Sequence, residues 1–585
     1  MAGLIGWVRT PDAAPLPSAP ALLLERSGLT LWSDPRACAS AVPGAVVATA
    51  GDRALALHGH AHDPSSGRRL DAAALLELWE TEGERVAERL EGAFHFVTAD
   101  RATGRVTLVN DRLGVLPLYW RASDRDFAFA PRLAALPGLT RPWTPDPAGV
   151  VTFLSNGYCL GTRTLVAGVS QLAPAEIVTI DTATLAVTHR RYWDLAYAPD
   201  DSASPRRLAR DLYEQVIEAL VLLVPEGGER CGLLLSGGWD CRGLLGGALA
   251  LGRAPAAVIT NGVSDQLRGT DTALAKRLAI ALGLEYRFCR RDPALGAQLA
   301  LDGIARCELR ADTCPEVFGQ HRVPPTVFAG LDSVIKGDEI WGWQDEARSR
   351  DQAVGNVMPN RLSPRLLELL APDLRARAEE LWRAEIEAVL HGGTADDWND
   401  AKDYLYLKGR VCRYIFGLGG SDEEHVQVVR PYLTKGVLDV VRRLPGRLRV
   451  QKNLFLEMIA RHEPRLFAYG RNHGSHIADY YFHMAPFVRE RAAARLDAGH
   501  DLGGLLDRDA ARRLVASFTP REAPPTPEPG GLARLRNHAL DRWSHRWYRT
   551  GLARDRATRH TRLWSASEAA VAFRVWLLEE LFAGA

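Results

Sequence analysis

The sequence predicts an α+β, β-rich layered sandwich over roughly residues 1–195, then an α/β domain with a largely parallel sheet over roughly 205–520. Length is one ground: 585 residues exceed what a single hydrophobic core supports and point to two or three domains. A second is a change of pattern, from short β-rich runs between Gly, Pro and Asp turns to strands alternating with helices. The third is one stretch, Leu233-Leu234-Leu235-Ser236-Gly237-Gly238-Trp239-Asp240-Cys241-Arg242. An apolar run there enters a tight turn, and a second run with helical spacing (Leu244, Leu245, Ala248, Leu249) leaves it.

Strand candidates in the first domain are Gly3–Val8, Gly44–Ala50, Ala93–Thr98 and Val106–Asn110, with one helical stretch near Asp71–Leu90. The second domain opens with Arg206–Leu223, which puts Leu208, Leu212, Val216, Ala219, Leu220 and Leu223 on one helical face. In the loop that follows, the glycines stand where the backbone must turn sharply and approach a ligand closely. Free backbone N–H groups at such a helix start form an anion site. Ser236 adds a hydroxyl, and Asp240 can hold a Mg²⁺ that neutralises phosphates. No Gly-Lys-Ser/Thr follows, so this is not the Walker pattern. An ordinary Gly-rich turn is the competing reading.

Ala256–Thr260 reads as a second buried strand and Asp271–Gly283 as a helix, so ligands belong at the strand C-termini. Ser333 to Trp343 is again a buried strand ending in Gly337 and then the acids Asp338 and Glu339. Two carboxylates converging on one site are costly unless a cation lies between them, which makes Asp240 and Asp338 the metal candidates. Residues 345–400 are polar and largely helical, read either as an insertion that covers the site or as a solvated helical pair. In Asp400–Arg413, Asp403 and Arg410 lie two helical turns apart with Tyr406 one turn from each. Asp403 or Tyr406 can supply a general base there, the alternative being a structural polar face.

Residues 521–585 form a tail. Pro520–Gly531 reads as a linker, and Arg534–Arg562 interleaves arginines with Trp543, Trp547 and Tyr548. That stretch is either a binding arm or a helix docked by its aromatics.

Composition narrows the classes. The net charge of +1 gives no general pull toward nucleic acid or membrane, and no apolar run approaches spanning length. At 46% hydrophobic and 24% charged the chain can bury a sizeable core. Eight cysteines scattered without a CxxC pair argue against a disulfide framework or zinc site and fit a reducing cytoplasm. No secretory signal pattern and no internal repeat is visible.

Ser236-Gly237-Gly238-Trp239-Asp240 resembles the Ser-Gly-Gly-x-Asp-Ser loop of ATP pyrophosphatases, with Cys241 in place of the final Ser. In the first domain, Leu90–Phe96, Asn110–Tyr119, Phe153–Tyr158, Gln171–Pro174 and Arg191–Asp194 resemble, in order, the glutaminase half of class-II amidotransferases. Together these motifs resemble the asparagine-synthetase-like superfamily over roughly residues 1–460. The resemblance implies an Ntn-hydrolase-like sandwich joined to an ATP pyrophosphatase domain, with ATP and Mg²⁺ as cofactors. Leu235, Ser236, Gly237, Gly238, Asp240, Cys241, Thr260 and Gly337 would then line the nucleotide site. Thr260 matches a strand-end Ser or Thr near the adenine, although plain strand-end capping explains it equally well.

Asp338 matches the family's Mg²⁺-sharing Asp, in a loop about three residues short of the family's Gly-x-Gly-x-Asp-Glu. The Glu of asparagine synthetases and the Tyr of β-lactam synthetases in that loop therefore have no counterpart. Val428–Thr434 matches the family's Arg-x-Pro-Phe-Leu-Asp, with Thr434 replacing the Asp. Lys452 then matches the Lys that stabilises the adenylate and the tetrahedral intermediate.

The departures matter as much. Where working glutaminases have Cys at residue 2, this chain has Ala2, which offers no nucleophilic atom. His58-Gly59-His60 stands where the family has its Asn-Gly-Glu glutamine clamp. The expectation is an ATP-dependent amide ligase, AMP-forming and without glutaminase activity, acting on a substrate that carries both amine and carboxylate. Lasso-peptide macrolactam cyclases are the most similar relatives in this respect, with a leader-peptide-binding protein or protease as possible partners. β-Lactam synthetases, other amide ligases and a nucleotide-binding scaffold without turnover are the alternatives.

Overall fold

The computed structural model describes residues 3–9, 29–34, 37–42, 45–226, 230–262, 264–266, 270–290, 295–312, 325–341, 346–358, 362–391, 397–419, 423, 425–467, 469, 478–517 and 568–583. Ala2, the Pro520–Gly531 linker and the basic stretch Arg534–Arg562 lie outside them.

The first domain is built of two antiparallel sheets. One runs Ser170–Gln171, Tyr119–Ala122, Asp126–Ala130, Gly3–Arg9, Ala37–Val42, Leu29–Asp34. The other runs Val187–Arg191, Glu176–Asp181, Arg105–Asn110, Glu91–Asp100, Arg53–Asp63, Ala45–Ala50, with Arg68–Leu70 paired beside Arg53–Asp63. Period-two alternation explains the layering. Ala54, Ala56, Val97 and Ala99 face Leu4, Val8, Phe127 and Phe129 of the other sheet, forming the sandwich core. Leu55, Leu57, Phe94 and Phe96 face the opposite way and pack on Leu75 and Leu76. The expected helix over 71–90 is broken: Ala72–Glu82 ends at Gly83, which adopts φ +61, and a short turn leads into Val86–Arg89.

The second domain holds a five-stranded parallel sheet in the order Glu285–Arg290, Ala257–Gly262, Cys231–Leu234, Ser333–Ile335, Gln427–Val429. The Pro205–Leu223 helix buries the six residues its spacing predicts, and Ser204 caps it through Arg207 N.

Residues 345–400 depart from expectation. The described residues are not a solvated pair, because Val354, Val357, Leu374, Ala378, Trp382, Ile386 and Val389 all enter the main core. The Pro372–Leu390 helix packs on the first domain's Pro147–Asn156 helix, and Glu385 takes Arg163 at 2.7 Å. The Asp400–Arg413 stretch also differs. It is α-helical only over Trp398–Leu405 and continues as a π-helix over Tyr406–Ile415, which removes the 3.6-residue phase between Asp403 and Arg410.

The closing motif of the first domain anchors on this helix: Asp194 accepts from Tyr404 Oη at 2.8 Å and pairs with Lys408 at 2.9 Å. Among the described residues no helix is long and apolar enough to cross a membrane.

The helix Glu568–Ala583 buries Ala570, Phe573, Trp576, Leu577 and Leu581, and Arg574 joins Asp312 (2.8 Å) to the carbonyls of Leu154 and Ser155. Beside it, burial, reinforced by Asp501, pushes the Glu579 carboxyl up from 4.5 to about 7. A folded value above the unfolded one means the neutral form's stability is complete below 4.5 and is lost as pH rises through 7. Glu579→Gln should therefore match the unsubstituted protein in urea unfolding near pH 4.5 and exceed it at pH 8 by about 1–3 kcal/mol. Equal midpoints at pH 8 would refute the assignment.

Candidate functional site

The site lies at the C-terminal ends of the two central parallel strands, where the sheet leaves room for a ligand. Leu235 extends its strand, donating its N–H to Ile259 O at 2.8 Å, and Ser236-Gly237-Gly238 turns into the Trp239–Ala250 helix. Neither glycine adopts a left-handed φ. Space is the reason for Gly237: a Cβ there would sit 2.5 Å from Asp271 Oδ1. Gly238 is the N-cap and contributes no capping side chain, while its N–H goes to Ser236 Oγ at 3.1 Å. Asp240 lies in the helix's first turn, where an anion also meets the positive end of the helix dipole. Cys241 sits beneath, its Sγ 3.5 Å from Ser236 Oγ, and burial pushes the thiol up.

The neighbouring strand brings Lys336-Gly337-Asp338-Glu339 against this helix start. A Cβ on Gly337 would lie 3.0 Å from Cys241 N and 3.1 Å from its Sγ, so any larger residue would press on this helix start. Lys452 arrives from the other side. Gln451 and Lys452 take φ +52 and +62, a strained pair immediately before the Asn453–His462 helix. That turn aims Lys452 Nζ at both oxygens of Asp240 (2.6 Å each) and at Glu339 Oε1 (2.9 Å). Burial works against the ammonium charge, but Asp240 and Glu339 outweigh it and raise the lysine above its ordinary value. Burial, with Lys452 opposing and Asp240 adding, holds Glu339 at about 7.

Asp338 is held separately, by Arg430 Nε at 2.9 Å and Lys336 Nζ at 3.6 Å. Arg430 also pairs with Glu423 (2.7 Å), and Tyr432 Oη donates to the Asp240 carbonyl at 2.9 Å. The Arg430-Pro431-Tyr432 segment thus supports both acids.

Thr260 is buried within its strand, two residues before the strand ends. The Tyr406 hydroxyl feels Glu339, Lys452 and Asp240, and burial first, then Glu339, raises it far above its ordinary value, so it stays protonated. Asp403 belongs elsewhere. It is fully buried under Arg449, which donates from Nε at 2.8 Å, also binds Asp400, and stacks 4.3 Å over the Tyr197 ring. Asp403 and Tyr406 therefore serve different clusters. Sequence reading left Glu339, Arg430 and Tyr432 without roles, although all three stand inside the motifs it singled out.

Among the described residues no group of three or more His, Cys, Asp or Glu is arranged to hold a metal. The hard carboxylate oxygens of Asp240 and Asp338 nevertheless suit Mg²⁺, which typically takes one or two carboxylates plus substrate phosphates.

Residues 55–193 match the family model described as a glutamine amidotransferase domain. No curated protein matches the chain. Among solved structures it is similar to the glutamine phosphoribosylpyrophosphate amidotransferase from B. subtilis complexed with ADP and GMP (11% identity, TM-score 0.21). That match covers 49% of this chain and 65%, less than two thirds, of the other. A second, titled the allosteric regulatory enzyme of purine biosynthesis, shows 10% identity and TM-score 0.21 over 49% of this chain and 79% of the other. Likeness of that size carries no argument about ligands or activity.

The Arg449 cluster is testable. Arg449→Met strips buried Asp400 of its arginine and leaves Asp403 with Lys402 alone at 3.3 Å, and should cost about 3–5 kcal/mol in denaturant unfolding. Asp403→Asn, which leaves the arginine with Asp400, should cost less. The reverse order would show that Asp403 is not held there for structure.

Proposed function

We propose that the chain forms an amide bond at the expense of ATP through an acyl-adenylate. One observation carries this reading: a charged Lys452, bound to Asp240 and Glu339, beside an open Ser236-Gly237-Gly238 turn at a helix N-terminus. A carboxylate oxygen of the substrate attacks the α-phosphorus of ATP, the bond to the bridging oxygen breaks, and pyrophosphate leaves. An amine then attacks the acyl carbon, loses a proton, and AMP departs with the C–O electron pair.

The loop's backbone N–H groups and the Ser236 hydroxyl would cradle phosphate oxygens. Lys452 would neutralise the charge that builds on the adenylate and the tetrahedral intermediate. Asp240 and Asp338 would hold Mg²⁺, whose contribution is to neutralise the phosphates. Thr260 would border the adenine, and Tyr406, protonated, would act as a hydroxyl donor facing this cluster.

Ala2 stands where the resembling family carries its nucleophilic Cys, which favours an amine carried by the acid's own molecule. Macrolactam closure of a ribosomal peptide is the form of this chemistry we favour, with a peptide-delivering protein or protease as partner.

Asp240→Asn and Lys452→Ala should each lower carboxylate-dependent ATP–pyrophosphate exchange about a hundred- to a thousand-fold without a matching loss of folded protein. Purified protein should release no ammonia from glutamine. Exchange that survives both substitutions would sink the adenylation model. AMP release with β-amino acids but not peptides would point to small-molecule closure, and no AMP release with any acid to a scaffold without turnover.

A further inference from the structure

The strand Gln427–Val429 is an edge of the parallel sheet. Gln427 N–H donates to Asp332 O at 3.2 Å, and Val429 O accepts from Lys336 N–H at 2.9 Å, so both face the neighbouring strand. Backbone groups alternate along a strand, which leaves the Val428 carbonyl on the outer edge, where Arg430 Nη1 of its own segment reaches it only at 3.5 Å and a closer donor has to come from elsewhere. The first domain supplies that donor: His60 Nε2 lies 3.1 Å from Val428 O. Burial, with His62 adding, holds the pKa of this imidazole well below its ordinary value, so it is neutral and carries its proton on Nε2, facing the carbonyl.

Seven residues on, the first domain makes a second contact. The helix Lys435–Val441 begins after Thr434, whose hydroxyl turns back to Pro431 O at 3.0 Å instead of capping. The free Lys435 N–H is taken by Glu91 Oε1 at 2.9 Å, and Arg112 holds the other Glu91 oxygen at 2.7 Å. A carboxylate from another domain thus stands where the helix start favours negative charge. The cavity between the two contacts measures about 30 Å³ and is lined by His60, Glu91, Arg112, Arg430 and Thr434, room for no more than a water or two.

Between these contacts lie Arg430, which holds Asp338, and Tyr432, which holds the backbone of Asp240. We propose that the first domain is a two-point clamp on residues 428–435. His60 and Glu91 then act as positioning residues that set the Asp338 and Asp240 carboxylates through Arg430 and Tyr432. The inference rests on the reading of those carboxylates given above.

Full-length His60→Ala, His60→Gln and, as a control on the same strand, His62→Ala decide it. Two measurements apply: amide hydrogen exchange over 428–435 and 236–241, and the Mg²⁺ and carboxylate dependence of ATP–pyrophosphate exchange. His60→Ala should speed hydrogen exchange in both segments, lower kcat about tenfold and raise the Mg²⁺ requirement, with the carboxylate KM unchanged. His60→Gln, which restores a donor, should recover most of this, and His62→Ala should change neither segment.

Unaltered hydrogen exchange in His60→Ala, or failure of Gln to rescue, overturns the clamp. Absence of pyrophosphate exchange in the unsubstituted protein would sink the adenylation reading alone, and hydrogen exchange would still decide whether the clamp exists.

Discussion

The site depends on charge neutralisation at the end of a buried sheet. Asp240, Asp338 and Glu339 meet where two central parallel strands end, and burying such carboxylates without cations is costly. Lys452 binds two of them and Arg430 the third. Both cations come from segments far along the chain, so the site exists only when the sheet, the 428–435 segment and the strained Gln451-Lys452 turn are assembled together. Strain at that turn persists because two carboxylates and a packed helix over-determine it.

The two domains are less separate than the change of pattern between them implies. The main apolar core runs from Ile5 and Ala93 through the parallel sheet to Leu581. The 345–400 insertion and the C-terminal helix fill the seam between the halves, and Arg413 reaches across it to the carbonyls of Cys159 and Arg163. A first domain that shares a core with the second cannot be shed without exposing that core. Its retention has a physical cause before any catalytic one is sought.

Legibility followed the range of the forces involved. Alternation along Phe94–Val97, the one-faced helix Pro205–Leu223 and the strand–glycine–helix turn at Ser236 are local patterns, and each was readable, whereas the Arg53–Asp63 strand was not among the strand candidates. Asp403 was not, because its spacing to Arg410 assumed a regular helix and the π-helical turn from Tyr406 changes the phase. Thr434 reads as the loss of an acid until Glu91 is found supplying a carboxylate to the same helix start.

The chain by itself therefore determined which residue types were available: a Ser-Gly-Gly turn at a helix start, acids after buried strands, and a lysine after an Arg-Pro motif. Only the tertiary structure decided which of them meet. Sequence records neighbours within a helical turn or a strand pair. The pairing of Lys452 with Asp240, of Arg430 with Asp338 and of His60 with Val428 spans from about ninety to several hundred residues, and burial of the polar partners, satisfied only by one another, selects those pairings.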